Sequence, residues 1–204
     1  MERESHFTGQ DAWRGGHYEL YIEPSLGSSE ELCLLVKALW SFPSLEGCYL
    51  RNDCEPSVQE CVRPCENGIE GHLYGLATLP NKTVVPCGSY TMDYAGEDQL
   101  RPAHWVSFYL PLAALGAAYP VGAYPFGRMD KVSEWKKPVD SFLGEIATWT
   151  HSRVPFEFAL VGFEVDLSRI SRQAIGASGI PEERGDGILW NEGGELKWYP
   201  ATRP

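Results

Sequence analysis

The stretch from His104 to Phe126 constrains the fold of this chain more than any other. Its first part, Trp105–Leu110, is rich in β-branched and aromatic residues, and a run of small residues from Pro111 to Ala118 follows directly. This pattern predicts a strand followed by a short helical turn. Because the strand is apolar on both faces, we expect it to be a central strand that is covered on both sides.

Residues 28–40 carry the clearest helix signal. Ser28 and Glu31 match a capping box, in which a serine begins the helix and a glutamate stands three residues later. The apolar residues behind them fall at helical spacing: Leu32, Leu35, Val36, Leu39 and Trp40. One side of this helix should therefore be buried, and the helix should end before Pro43.

Most other apolar runs predict strands. Residues 156–165 are almost continuously apolar, which predicts a second interior strand. Residues 17–23 alternate, which predicts an amphipathic strand whose solvated face carries His17, Glu19, Tyr21 and Glu23. Hairpins are predicted for residues 72–79 with 83–92 and for residues 188–190 with 196–199.

Two further helices are predicted. Lys137-Pro138 fits a helix start, because proline is well tolerated at the first helical position. Ser168 or Asp166 is expected to cap a short helix that runs to about Ile175. Together these elements predict an α+β fold, with a mixed, mainly antiparallel sheet and a few helices packed against it.

The 204 residues are most economically one domain. Residues 1–16 are polar and contain glycine, which predicts a flexible N-terminal tail before a single domain over residues 17–204. Within that domain, residues 43–71 are rich in cysteine and charge and lack periodicity. They are expected to form a long surface excursion.

The charge balance is strongly acidic. Asp and Glu number 28 against 17 Lys and Arg, which gives a formal net charge of −11. A field of this sign repels nucleic acid and favours a basic protein partner, although acidity can also serve solubility alone. No signal-peptide pattern and no membrane-spanning apolar run stands in the sequence, so we expect a cytoplasmic protein that does not bind a membrane. No cofactor is predicted.

The cysteines allow three interpretations. Cys54, Cys61 and Cys65, with Cys48 or His72, could supply zinc ligands, but only the pair 61 and 65 approaches the spacing of a zinc knuckle. A disulfide is the second interpretation. Free thiols are the third, and a reducing compartment favours them.

A catalytic site is a further hypothesis. Cys87 lies in the sequence Val-Val-Pro-Cys-Gly-Ser and could act as a nucleophile, with His72, His104 or His151 as its base. Carboxylate pairs could act as acid and base if one of them were buried: Glu19 with Glu23 beside His17, and Glu164 with Asp166. The enzyme alternative is therefore a small hydrolase with a dispersed site, based on Cys87, His104 and Glu164. Nucleotide-binding, metalloprotease and serine-hydrolase motifs do not occur in the sequence.

A protein-binding surface is the favoured hypothesis, because tyrosine and tryptophan dominate binding hot spots and the chain has 10 Tyr and 7 Trp. The predicted contact residues lie in two loops, one aromatic with Tyr119, Tyr124 and Phe126, and one acidic with Glu182, Glu183 and Asp186. The alternative for the aromatic loop is a connection tucked over the core. The profile of a small, acidic, aromatic-rich α+β domain without a catalytic motif matches bacterial immunity proteins by analogy of class. We therefore expect an inhibitor that occludes the active site of a basic toxin or effector domain.

Overall fold

The structure is a computed structural model that describes residues 5–65, 71–94, 103–121, 129–168 and 170–203. Within these residues the chain forms eight strands and four helices. The strands are β1 (His17–Glu23), β2 (Leu45–Tyr49), β3 (Leu73–Thr78), β4 (Val84–Tyr94), β5 (Ala103–Pro111), β6 (Phe158–Phe163), β7 (Gly187–Glu192) and β8 (Glu195–Tyr199). The helices are α1 (Ser29–Trp40), α2 (Leu112–Ala118), α3 (Met129–His151) and α4 (Arg172–Ser178).

All described strands belong to one sheet with the order β2-β3-β4-β5-β1-β6-β7-β8. Two meanders, β2 to β5 and β6 to β8, are joined by β1, which pairs with β5 on one side and β6 on the other. The predicted α+β class is confirmed, and each pairing in the described sheet is antiparallel. As predicted, β5 and β6 are interior strands, and residues 112–118 form a short helix.

One face of the sheet, here called the helix face, is covered by α1 and α3. Tyr18, Leu20 and Ile22 of β1 are fully buried in this main core. The capping box is confirmed: the Ser28 hydroxyl accepts from the Glu31 backbone N–H at 3.1 Å. The Glu31 carboxylate in turn accepts from the backbone N–H groups of residues 25, 26 and 27 and fixes the entry of the helix.

The opposite face, here called the second face, is also covered, so the predicted solvated face of β1 is wrong. Glu19 and Tyr21 are only 4% and 5% exposed. Tyr21 packs in a second apolar cluster with Phe158 and Leu160, over which the segment after β6 folds. The side chains of Glu19 and Tyr21 are therefore buried and hydrogen-bonded, and alternation in the sequence cannot distinguish this arrangement from a solvated face.

The predicted start of the third helix at Pro138 is also wrong. Helix α3 begins at Met129 and contains Pro138 in its interior. A proline inside a helix removes one backbone hydrogen bond. Trp135, which precedes it, is 1% exposed and packs edge-on against Tyr18, so burial of this turn offsets that loss.

The last helix begins later than predicted. Its N-cap is Ser171, whose hydroxyl accepts from the Ala174 backbone N–H at 3.1 Å. Asp166 instead closes a tight turn, because its carboxylate accepts from the backbone N–H and hydroxyl of Ser168. The hydrogen bonds of Asp166 and Ser168 thus stabilise a turn and do not cap the helix.

Residues 5–16, which lie in the segment predicted to be a flexible tail, pack on the second face. Phe7 is 1% exposed and contacts Trp13 and Tyr49 edge-on. The Glu55 carboxylate accepts from the backbone N–H groups of residues 6, 7 and 8. Burial acts to raise the pKa of Glu55, but the hydrogen bonds from Thr8 and Phe7 outweigh it and hold the pKa at about 2.

The cysteine-rich excursion contributes β2 and a 3-10 turn at residues 56–58. The Val62 backbone N–H donates to the Cys48 carbonyl at 2.8 Å, so the excursion folds back along β2. Among the described residues, no helix has the length and apolar character needed to cross a bilayer.

Candidate functional site

A cleft of about 620 Å³ opens on the helix face, between the C-terminal half of α3 and the last two strands. Its aromatic and aliphatic lining is Phe42, Trp149, Leu189, Leu196 and Trp198. Its polar lining comes mainly from α3 and includes Asp140, Ser141, Glu145 and Thr148. An apolar concavity with a few polar groups is the usual form of a binding site. We call it the α3–β8 cleft.

Gly144 forms the centre of the α3 wall. A side chain at this position would meet no neighbouring atom within 4 Å in the described part of the chain. Glycine in a helix interior lowers helix stability relative to alanine, by about 1 kcal/mol. The absence of a side chain here keeps the cleft open.

Asp140 is the charged group at the inner end of the cleft. The Tyr18 hydroxyl, which belongs to the main core, donates a short hydrogen bond to its carboxylate. Burial raises the pKa of Asp140 to about 6, against the opposing effects of the Tyr18 hydrogen bond and of Lys136. The carboxylate is therefore incompletely compensated within the protein and favours a cation in the cleft.

Trp149 and Trp198 flank the cleft from opposite walls. The Trp149 indole N–H donates to the Ser41 hydroxyl at 3.0 Å, and its ring contacts Phe42 edge-on. The guanidinium of Arg153 lies 3.3 Å from the centre of the Trp149 ring. Trp198 is 36% exposed although it is a large aromatic residue. The two indoles provide ring surfaces that attract cations and apolar groups alike.

The predicted acidic loop leads into β7, but the cleft lining does not include Glu182, Glu183 or Asp186. Asp186 immediately precedes Gly187, and a methyl group on Gly187 would overlap the ring of Trp198, so that ring lies directly on the backbone of β7. Glu182 and Glu183 are exposed in the same loop. Glu183 forms an ion pair with Arg203, so part of the negative charge is compensated within the chain.

The predicted aromatic loop is less informative. Tyr119 is half-buried and packs against the main core, and its backbone N–H caps α2. Its hydroxyl is buried. At Tyr119, this position favours the alternative interpretation, in which the loop is a connection tucked over the core. Tyr124 and Phe126 lie outside the described residues.

A second polar cluster lies on the second face, around Glu19. Its carboxylate accepts from the Val165 backbone N–H at 3.1 Å and from the hydroxyls of Tyr21 and Tyr90 at 3.2 and 3.5 Å. Burial raises the pKa of Glu19 to about 7 against these hydrogen bonds. His17 approaches the same carboxylate, with its Nδ1 at 3.9 Å.

The two histidines of this cluster are linked through Tyr109. The His17 ring stacks on Tyr109 with centres 4.1 Å apart, and His72 Nε2 lies 2.6 Å from the Tyr109 hydroxyl. Burial lowers the pKa of both histidines, and nearby Glu164 opposes the shift at His17. We call these residues the histidine–tyrosine cluster: His17, Glu19, Tyr21, His72, Tyr90 and Tyr109. It contains a buried carboxylate that can hold a proton near neutral pH.

The structure does not assemble the catalytic group considered from sequence. Cys87 is fully buried on the helix face, and burial raises the pKa of its thiol well above the usual value. Gly88, its neighbour, pairs with Tyr109, five residues along β5 from His104, which corresponds to about 17 Å. Glu164 is exposed, and its backbone N–H donates to the His17 carbonyl. Cys87 thus resembles a core residue rather than a nucleophile.

The cysteines considered as zinc ligands differ in exposure and partners. Cys61 is exposed and Cys54 is half-buried, whereas the Cys65 thiol contacts the Cys33 carbonyl at 3.6 Å. Among the described residues, no group of three or more His, Cys, Asp or Glu is placed to hold a metal ion. All six thiols are unpaired.

The α3–β8 cleft is not evident in the sequence, because its walls come from three segments that are distant in the chain. One signal was available: Asp140, Gly144 and Thr148 recur at intervals of four residues. Such spacing places a small and polar stripe along one side of the helix.

No protein-family model, curated protein or solved structure matches this chain. The function must therefore be argued from the chemistry of the two sites.

Proposed function

We propose that this protein is an immunity-type inhibitor that binds a basic toxin or effector domain and occludes its active site. The observation that carries the proposal is the α3–β8 cleft, whose lining combines two tryptophans with an incompletely compensated carboxylate. Tryptophan is enriched in the pockets that dominate binding energy between proteins.

The charge of the whole chain supports a basic partner. A net charge of −11 attracts a cationic domain over distances of about a Debye length and raises the rate of encounter. Glu182 and Glu183 contribute to this field, since they are exposed in the loop that leads into β7. Enzymes that act on polyanions such as nucleic acid are an obvious class of partner, because they are themselves basic.

The experiment compares capture by the wild type with capture by two matched cleft variants. Gly144→Leu fills the cleft, whereas Gly144→Ala makes the same backbone change without filling it. Both variants should stabilise α3, so lost binding in the first cannot be attributed to unfolding. We expect one basic protein at near-equal stoichiometry with the wild type and Gly144→Ala, and its loss with Gly144→Leu.

The captured protein must also be inhibited. Its hydrolytic or toxic activity is measured free and in the complex, and we expect the complex to be inactive. Capture that is equal for all three variants, or a partner that remains fully active in the complex, would contradict the proposal.

A second candidate function is acid–base catalysis at the histidine–tyrosine cluster. Glu19 favours it, because a buried carboxyl with a pKa near 7 next to His17 is suited to proton transfer at neutral pH. The test is a panel of ester, amide and glycoside substrates with the wild type and with Glu19→Gln. Turnover that Glu19→Gln abolishes would establish the enzyme, and turnover unaffected by this change would exclude Glu19 from it.

A further inference from the structure

We infer that the α3–β8 cleft receives an arginine side chain of the partner, with the guanidinium against the exposed ring of Trp198 and within reach of the Asp140 carboxylate. This inference rests on the proposed function and specifies the chemistry of the occupant. The class of occupant follows from charge complementarity, ring geometry and size.

The charge argument starts at Asp140. Its carboxylate accepts from the Tyr18 hydroxyl, which donates from the main core, and it also lines the cleft. Glu145 lies on the same wall and is exposed. Lys136 is the nearby cation, and it does not offset the effect of burial on Asp140. A cation that enters the cleft would therefore supply the missing compensation.

The ring geometry favours arginine over lysine. A guanidinium is planar, stacks on indole rings and can bind a carboxylate through two parallel hydrogen bonds, whereas an ammonium is a point charge. Arg153 of the same chain already forms such a stack, 3.3 Å from the centre of the Trp149 ring, and it occupies one face of that ring. Trp198, on the opposite wall, is 36% exposed and presents its ring to the same space.

The size of the cleft agrees with this occupant. A volume of about 620 Å³ exceeds the needs of a single water or ion and accommodates an arginine side chain with part of its flanking backbone. The apolar walls formed by Leu189 and Leu196 suit the methylene stem of arginine, which is itself apolar.

The test uses two tripeptides that differ in charge alone. Acetyl-Ala-Arg-Ala-amide is titrated into the full-length protein and compared with the same peptide containing citrulline, which keeps the shape and removes the charge. Binding is followed through the indole N–H signals of Trp149 and Trp198 in nuclear magnetic resonance spectra. We expect saturable shifts of these two signals at millimolar arginine peptide, and affinity for the citrulline peptide lower by about tenfold.

Two variants locate the binding. Asp140→Asn keeps an oxygen that can accept the hydrogen bond from Tyr18 but removes the charge. The affinity of this variant for the arginine peptide should be lower than that of the wild type by about tenfold. Gly144→Leu should abolish the shifts, whereas Gly144→Ala should leave them unchanged. Equal binding of both peptides, equal binding to Asp140→Asn, or no shift up to tens of millimolar peptide would overturn the inference.

The outcomes also separate this inference from the proposed function. If a basic protein is captured through the cleft while the arginine peptide fails to bind, the inhibitor stands and the arginine assignment is wrong. If the peptide binds as described but no basic partner is captured, the cleft is an arginine site and the inhibitor proposal is wrong.

Discussion

Two buried carboxylates, Glu19 and Asp140, lie on opposite faces of the sheet and differ in what surrounds them. Glu19 is enclosed by a backbone N–H and two tyrosine hydroxyls, so its hydrogen-bonding capacity is used within the fold. Asp140 accepts from Tyr18 and lines an open cleft. The first arrangement is that of a structural network, and the second is that of a group available to a ligand.

The Glu19 environment makes stability depend on pH in a defined direction. The pKa of Glu19 rises from its ordinary value of 4.5 to about 7 on folding. Between these values the folded state binds more protons than the unfolded state, so the unfolding free energy falls as pH rises from about 4.5 to 7. The shift corresponds to about 3 kcal/mol across that window.

Glu19→Gln should remove this dependence, and chemical denaturation at several pH values measures it. The wild type should lose stability relative to Glu19→Gln as pH rises from about 4.5 to 7, and the difference should then level off. Glu195→Gln, at an exposed position on β8, is the control and should follow the wild type. A constant difference between wild type and Glu19→Gln across this range would contradict the assignment.

The thiols should react in an order set by their burial. Cys61 is exposed and should be alkylated first at neutral pH, whereas Cys48 and Cys87 are buried with raised pKa and should react only after unfolding. Burial, and then a hydrogen bond to Cys33, raise the pKa of Cys65 to about 12, so it should also be slow. Mass spectrometry after timed alkylation gives the order. A Cys87 that reacted as fast as Cys61 would contradict the packing of β4 and reopen the nucleophile hypothesis.

At the scale of elements, local signals predicted the structure well where side chains of one segment determine it. The capping box at Ser28, the β3–β4 hairpin and the interior strand β6 all form as their patterns indicate. The solvated face of β1 and the start of α3 were wrong for a shared reason. Both features depend on distant segments. The Glu19 carboxylate is buried beneath the segment that contains Val165, whose backbone N–H donates to it. The turn of α3 before Pro138 is stabilised by the contact of Trp135 with Tyr18.

The strand order and the cleft could not be read from sequence for the same reason. Strand β1 joins two meanders, and its partners lie in segments far along the chain. The acidic loop before β7 was recognised from its composition, but the contact of the Trp198 ring with Gly187, the residue after that loop, depends on tertiary packing. Composition thus predicted the charge of the proposed binding surface, and tertiary structure provides its shape.

The attachment of residues 5–16 to the second face should depend on Glu55. Its carboxylate accepts hydrogen bonds from several backbone N–H groups near Phe7, and these bonds weaken together if the charge is removed. Glu55→Gln should increase hydrogen exchange at residues 6–8 by at least about fivefold, because a neutral acceptor forms weaker bonds. Glu60→Gln, an exposed neighbour, should leave exchange unchanged. Unchanged exchange in Glu55→Gln would show that Phe7 packing alone holds the segment.

At the scale of the whole molecule, the proposal depends on a long-range attraction followed by a short-range fit. The net charge of −11 provides the long-range attraction, and the α3–β8 cleft provides the short-range fit. These two contributions affect different rate constants, since steering acts on association and a filled pocket acts on dissociation.

Association with the captured partner should therefore slow by at least about tenfold as ionic strength rises from about 0.01 to 1 M, with little change in dissociation. Gly144→Leu should show the same salt dependence of association but dissociate faster than Gly144→Ala. Kinetic binding measurements on an immobilised partner separate the two effects. An association rate that is independent of salt would refute steering by charge.

The most direct test of the inhibitor account is site-specific photocrosslinking in the cells that produce the protein. A photoreactive benzoylphenylalanine replaces Trp198 in one variant and Leu26, which is 85% exposed and outside the cleft lining, in the other. The account predicts that position 198 crosslinks to a single basic protein and that position 26 does not. Crosslinks to that protein from both positions, to acidic proteins, or to no protein at position 198 would contradict it.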